Sequence, residues 1–258
     1  MLADSHCHLD RIDLTPFDNQ FEKAIQAANK KGVEHFLCVA INAENQKAVI
    51  DIAESHPNIH ASVGIHPLYT KGESASVESL SKIAAHPKVV AIGETGLDYF
   101  YEAESKQKQL SLFRTHVQAA VEVGLPLIIH TRDARQDTLD ILKEEGADKV
   151  GGVLHCFTES LEMAQAAMQM GFYVSFSGIV TFNNANEIRD VAKQIPLDRI
   201  LVETDSPYLT PKPYRGKPNS PMYVSEVAKL IAELRGIKYG EFCHITTDNY
   251  FRLFRLNQ

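Results

Sequence analysis

Short apolar, β-branched runs alternate along the whole chain with stretches in which apolar residues recur every three to four positions. The runs predict strands at Leu2–His8, His35–Ile41, Ile59–Ile65, Val89–Glu94, Pro126–His130, Gly152–His155, Phe172–Gly178 and Ile200–Thr204. The stretches between them predict helices at Phe17–Lys31, Ala43–Ser55, Val77–Ala85, Glu104–Val123, Ala134–Glu145, Leu161–Met170, Asn184–Gln194 and Met222–Leu234. A last helix is expected over Tyr239–Phe254. Eight strand-then-helix units predict the α/β class and a closed (β/α)8 TIM barrel, one domain over residues 1–258 with an additional C-terminal helix. Runs such as "VVAIGE" and "RILVET" are apolar almost without break, as strands are when helices cover the sheet. Gly32, Gly124, Gly146 and Gly171 stand where a left-handed residue would stop each helix. The alternative, an open doubly wound sheet, lacks a GxGxxG turn after the first strand.

Composition narrows the class without naming a chemistry. At 258 residues the chain is long enough to bury a large core. The start of the chain has no pattern of a signal peptide, and no window approaches the ~18 apolar residues of a membrane span. Cys7, Cys38, Cys156 and Cys243 lie far apart with no CxxC pair, so neither a zinc ribbon nor a disulfide framework is indicated. A cytoplasmic protein with reduced thiols is expected, with no membrane association, no obligatory protein partner, and a monomer as the default state. The net charge of −7 argues against a surface that coats nucleic acid. It leaves room for a local pocket that admits a strand end, particularly where bound cations supply the positive field. The segment "TPKPYRGKPNSP" (210–221) is rich in proline and basic residues and falls just after the eighth strand, as a long active-site loop would.

The chemistry gathers at the predicted C-terminal strand ends. His6 and His8 close the first strand, His66 the third, Glu94 the fourth, His130 and His155 the fifth and sixth, and Asp205 the eighth. A barrel turns all of these ends into one crater. His6 and His8 are two apart, so an extended strand puts both on one face with Cys7 on the other. His6, His8, Glu94, His130, His155 and Asp205 are too many donors for one tetrahedral catalytic ion that keeps a water site. They suit two divalent ions about 3.5–4 Å apart, with Glu94 as the bridging carboxylate and a bridging hydroxide as the nucleophile. His6, His8 and Asp205 would complete one ion and His130 and His155 the other. Asp205 is also expected to take the proton of the attacking water. The imidazole-rich set suits zinc or manganese, and the carboxylates admit magnesium.

The remaining candidates admit plainer readings. Glu203 either orients a ligand from behind or is a buried carboxylate satisfied by a cation, and Asp98 has the same two readings. His35, His56, His60, His86, His116 and His244 read as structural. Arg132, Arg215 and Lys217 are the cationic candidates for phosphate, Lys217 being the weakest of them. Tyr99, Phe100 and Tyr101 either stack on a base or cap their loop onto the barrel.

With these residues in view, the chain resembles the TatD-type metal-dependent hydrolases, a (β/α)8 branch of the amidohydrolase-like enzymes. The matching stretches are "DSHCHLD", "SVGIHP", "AIGETGLDY", "LPLIIHTRDA", "GVLHCF", "ETDSPYL", "YRGKPNSP" and "TTDNYFRLF", in order from residue 4 to 254. The resemblance implies a divalent metal centre and phosphodiester hydrolysis, often deoxyribonuclease activity that releases nucleotides from DNA ends. It places the family's metal positions on His6, His8, Glu94, His130, His155 and Asp205, and its GxHP histidine on His66. One departure is Glu159 in "HCFTES", where family members often have glycine; an acidic rim there would repel a polyanion. His66 is expected at the rim as a proton donor or phosphate contact. The expected substrate is DNA at strand ends, single-stranded, cut in a 3′-end exonuclease-like manner. The alternatives are hydrolysis of a small-molecule amide, ester or phosphoester, and a binding scaffold without catalysis.

Overall fold

The computed structural model describes residues 1–70 and 72–257. Its strands are β1 (Leu2–Cys7), β2 (Val33–Cys38), β3 (Ile59–Val63), β4 (Val89–Asp98), β5 (Leu127–Arg132), β6 (Gly152–Leu154), β7 (Phe172–Phe176) and β8 (Ile200–Val202). They pair in chain order, each parallel to the next. The first and last strands meet through Asp205 N–H to His6 O at 2.9 Å and His8 N–H to Ser206 O at 2.8 Å. The result is the nearly closed (β/α)8 barrel that the alternation predicts.

The helices that wrap it are α1 (Phe21–Asn29), α2 (Gln46–Glu54), α3 (Val77–Ala84), α4 (Lys106–Val123), α5 (Arg135–Glu144), α6 (Leu161–Gln169), α7 (Asn186–Gln194) and α8 (Val224–Arg235). α9 (Tyr239–Phe254) is the additional C-terminal helix. Stop and start signals act locally, the stops at glycines as expected. Ser76 and Ser79 form a reciprocal cap at the start of α3, and α4 ends at the left-handed Gly124. Tyr250, Phe251 and Phe254 of α9 pack with Ala3, Leu37, Ile128, Val153, Tyr173 and Leu201. The last helix therefore plugs the barrel at the strands' N-terminal ends and leaves the C-terminal ends open. Among the described residues, no helix is long and apolar enough to cross a membrane.

Several boundaries differ from expectation. β2 starts two residues earlier than His35 and stops at Cys38, and α1 starts at Phe21 because a 3-10 turn occupies Thr15–Phe17. α2 starts at Gln46, since the Asn45 side chain bonds the Ile41 and Asn42 amides and ties up the preceding turn. β3, β6, β7 and β8 end earlier than predicted. The β8 strand stops at Val202 because Thr204 N–H turns to the Asp4 carboxylate instead of a neighbouring strand. β4 runs on through "ETGLD" to Asp98, four residues past the predicted end, because its glycines let β5 approach. Gly96 has φ +139°, and a Cβ there would collide with the His130 carbonyl. Both β1 and β4 carry an extra residue against their neighbours, between Asp4 and Cys7 and between Ile92 and Thr95. These irregularities fall on the two segments that carry His6 and Glu94, where a bulge re-aims side chains.

Candidate metal centre

Glu94 sits at the centre of the open end of the barrel. Its Oε2 lies 3.3 Å from His6 Nε2 and 4.0 Å from His8 Nε2. Its Oε1 lies 2.7 Å from His155 Nε2, 3.2 Å from His66 Nε2 and 3.3 Å from His130 Nδ1. Asp205 stands beside the first pair, with Oδ1 3.3 Å from His8 Nε2 and 3.7 Å from His6 Nε2. The residues predicted from strand ends are thus gathered around one carboxylate whose two oxygens face two different sets of imidazoles. His6 and His155 stack at 4.0 Å between ring centres.

What holds each ring's far nitrogen decides which nitrogen faces the centre. His8 Nδ1 donates to the Val39 carbonyl at 2.9 Å, leaving the Nε2 lone pair inward. His130 is held the other way round, its Nε2 at 3.0 Å from Asp98 Oδ2, which leaves Nδ1 inward. His155 Nδ1 lies 3.3 Å from Glu203 Oε1, which also accepts the Cys156 amide at 2.7 Å. The two open readings are resolved in geometry: Asp98 and Glu203 each back an imidazole of the centre. His66 differs, because its Nδ1 accepts from Leu68 N–H at 3.1 Å. Its proton therefore resides on Nε2, so this ring presents a donor toward the centre.

Electrostatics reinforce the cluster. Burial alone would raise Glu94, yet the His155, His66 and His6 imidazoles outweigh it and hold the carboxyl well below its usual range. Burial would lower His155, and Glu94 with Glu203 reverses that and holds it well above the ordinary imidazole value. At Asp205 burial is overcome by the His8 hydrogen bond and the His6 charge, so its carboxyl lies low.

The donor set fits divalent cations. His6 Nδ1, His6 Nε2 and His155 Nε2 are buried without a hydrogen-bond partner. His155 Nε2 is only 2.7 Å from Glu94 Oε1 yet off the line a hydrogen bond requires. Buried polar atoms left this way are costly unless something else satisfies them. The nitrogen and oxygen donors also fall into close triads: His6, His8 and Asp205; His66, Glu94 and His130; His6, His155 and Glu203. The first triad matches one expected ion's set. Glu203's appearance in the third was not expected.

A cleft of about 360 Å³ opens onto this cluster. Arg132 lines it, with its guanidinium over Phe100 at 4.4 Å and Tyr101 at 5.1 Å. Arg215 is not brought there: it stacks on Phe182 at 4.0 Å and donates to the Thr210 carbonyl, outside the lining residues. Lys217 is exposed and also outside the lining. Tyr99 is turned away, bonded to Asp137 with Lys106 over its ring. His66 is deeper than a rim position, its side chain 11% exposed. Glu159 pairs with Arg135 and is buried, so no bare acid stands at the rim from that position. Sequence reasoning missed Tyr69 and Tyr208, both in the lining. The signal was present, since each follows a centre residue by three positions in "HPLY" and "DSPY".

The chain is similar to known proteins over nearly its whole length. Residues 3–255 match the model of a family described as TatD related DNase. The metal-dependent hydrolase YcfH of Escherichia coli K12 is 47% identical over 256 residues, covering 99% of this chain and 96% of that one. The metal-dependent hydrolase YabD of Bacillus subtilis is 46% identical, with all of both chains covered. The crystal structure of YjjV, a TatD homologue from Escherichia coli, superposes with a TM-score of 0.91 at 30% identity, covering 99% of this chain and 98% of the other.

Proposed function

This chain belongs to the TatD-related DNase family of metal-dependent hydrolases, and from that membership and the geometry above we propose that it hydrolyses phosphodiester bonds at the ends of single-stranded DNA. The observation that carries the reading is Glu94, with one oxygen facing His6 and His8 and the other facing His66, His130 and His155. His6, His8, Glu94 and Asp205 would hold one divalent cation, and Glu94, His130 and His155 a second. Zinc, manganese and magnesium are the candidates. Bound there, such cations supply an activated water and neutralise charge on the phosphoryl oxygens.

The chain's own residues do the rest. Asp205 is 14% exposed in its side chain and borders the cleft, which supports its carboxylate as the acceptor of a proton from the attacking water. The water oxygen bonds to phosphorus, the bond to the nucleoside oxygen breaks, and that oxygen leaves with the proton Asp205 accepted. His66 donates from Nε2 to a phosphoryl oxygen, a role its Leu68 hydrogen bond prepares. Asp98 and Glu203 keep His130 and His155 from turning. Arg132 contacts the next phosphate.

The test is direct. Purified protein with Mn²⁺ or Mg²⁺ is expected to shorten single-stranded DNA, EDTA to stop it, and Mn²⁺ to raise the melting temperature by binding the folded state. Glu94→Gln and Asp205→Asn are expected to lower the rate at least about a hundredfold while remaining folded. DNA left intact across these metals, with an amide or carboxylic ester turned over instead, would keep the hydrolase and discard the DNA.

A further inference from the structure

Seven large apolar side chains remain exposed among the described residues: Met1, Leu68, Tyr69, Phe100, Tyr101, Tyr208 and Tyr239. Four of them, Leu68, Tyr69, Tyr101 and Tyr208, line the cleft, and Phe100 adjoins it through Arg132. Such a concentration around one opening marks a binding surface, since scattered apolar exposure needs no explanation but a cluster does.

We infer that this rim is a stacking collar for the unpaired terminal bases of single-stranded DNA, with Tyr101 and Tyr208 as platforms and Arg132 as the phosphate anchor between base and centre. The inference rests on the phosphodiesterase reading above and says how that substrate is recognised. The collar's rings come from three different strand ends, so they surround the opening. Tyr69 follows β3, Tyr101 follows β4 and Tyr208 follows β8. Two of them lean on the centre itself: the Tyr208 ring lies 6.0 Å from that of His8, and the Tyr69 ring 6.3 Å from that of His66. A base stacked on either ring therefore sets its own phosphate beside the imidazoles. Tyr101 stands 61% exposed and edge-on to Phe100 at 4.7 Å, with Arg132 packed against both rings. That packing holds the guanidinium in place before substrate arrives.

The occupant follows from these features together. Every nucleobase has a π-face, so aromatic platforms bind a strand without regard to sequence. In a duplex those faces are covered by neighbouring base pairs, and a cleft of about 360 Å³ is small-ligand sized. A purely apolar partner would leave Arg132 and the carboxylate-imidazole floor without complement.

The test uses short single-stranded DNA with 2-aminopurine as its last base, one probe for each end. Fluorescence is read in EDTA and again with Mn²⁺ on phosphorothioate-linked DNA. Wild type is expected to quench one of the two probes on binding, as stacking does. Tyr101→Ala and Tyr208→Ala are each expected to weaken binding about tenfold and reduce the quench, while Tyr→Phe at either position restores both. Tyr101 and Tyr208 are largely exposed, so the variants are expected to melt with the wild type. No quench in either condition, equal affinity for a strand ending in abasic sites, or tighter binding of blunt duplex would each overturn the collar. Turnover of bis(4-nitrophenyl) phosphate by the wild type separates the two ideas. Turnover without quench sinks the collar alone; quench without any phosphodiester turnover sinks the activity and leaves the collar standing.

Discussion

At the residue scale, the centre depends on what stands behind each ring. His130 and His155 both face Glu94, but through different nitrogens, because Asp98 takes Nε2 of the first and Glu203 lies against Nδ1 of the second. A carboxylate in that place fixes the tautomer and makes the opposite nitrogen more basic. Asp98→Asn and Glu203→Gln are therefore expected to weaken Mn²⁺ or Zn²⁺ affinity ten- to a hundredfold, by the usual scale of such partners. Competition with a chromophoric chelator measures this without any turnover, and unchanged affinity in both variants would show the backing contacts to be idle. The facing residues were legible in the sequence because each ends a strand. The backing was legible only as one of two readings for Asp98 and Glu203, and which ring each one backs was not, since Asp98 and His130 are 32 positions apart and Glu203 and His155 are 48 apart. Arg215 shows the opposite failure. Its loop was placed correctly after β8, but a loop's side chains take their direction from tertiary contacts such as Phe182, which no periodicity records.

At the scale of elements, strand and helix order was legible because period and turn signals agree along the chain, and α9 was found at its observed bounds. β4 was underestimated because "GETG" carries the marks of a loop, namely two glycines around a charge. Its continuation is a packing fact. Gly96→Ala is expected to destabilise the fold by about 1–3 kcal/mol or more, since a Cβ at φ +139° would press on the His130 carbonyl. Urea unfolding would reveal it, and a shift within error would mean that β5 can step back. A second element carries a pH dependence. His116 in α4 accepts the Ile65 amide on Nε2 at 3.0 Å and bonds the Leu112 carbonyl through Nδ1 at 2.7 Å, tying α4 to the end of β3. Burial lowers it from 6.5 to about 4, so the folded protein keeps this ring neutral where the unfolded chain protonates it. More protons on the unfolded state means stability that is complete above pH 6.5 and declines as pH falls toward about 4. The loss is on the order of 3 kcal/mol at most. Urea midpoints at pH 7.5 and 5 should show it, and His116→Gln should flatten the difference even if it lowers both midpoints.

At the scale of the molecule, charge and shape set different limits on the substrate. The chain carries 33 acidic against 26 basic residues, a net charge of −7. Among the described residues lining the cleft, Arg132 is the one lysine or arginine. A protein that held DNA by its phosphates would show several cations there and a steep loss of affinity with salt, about −0.7 in log–log slope for each single-strand phosphate neutralised. On the proposed reading the exposed aromatic rim would supply contact that salt does not screen, while Arg132 would account for about one phosphate. The expected slope for a short single strand in EDTA is therefore about −0.7, and lengthening the strand beyond the cleft should leave it nearly constant. Arg132→Gln is expected to bring the slope close to zero and Tyr101→Ala to leave it unchanged while weakening binding at every salt concentration. Fluorescence anisotropy from 50 to 300 mM KCl separates the two contributions. A slope of −3 or steeper would mean that a backbone track lies outside the cleft, and the basic loop of Lys212, Arg215 and Lys217, exposed just after β8, would be the first place to look.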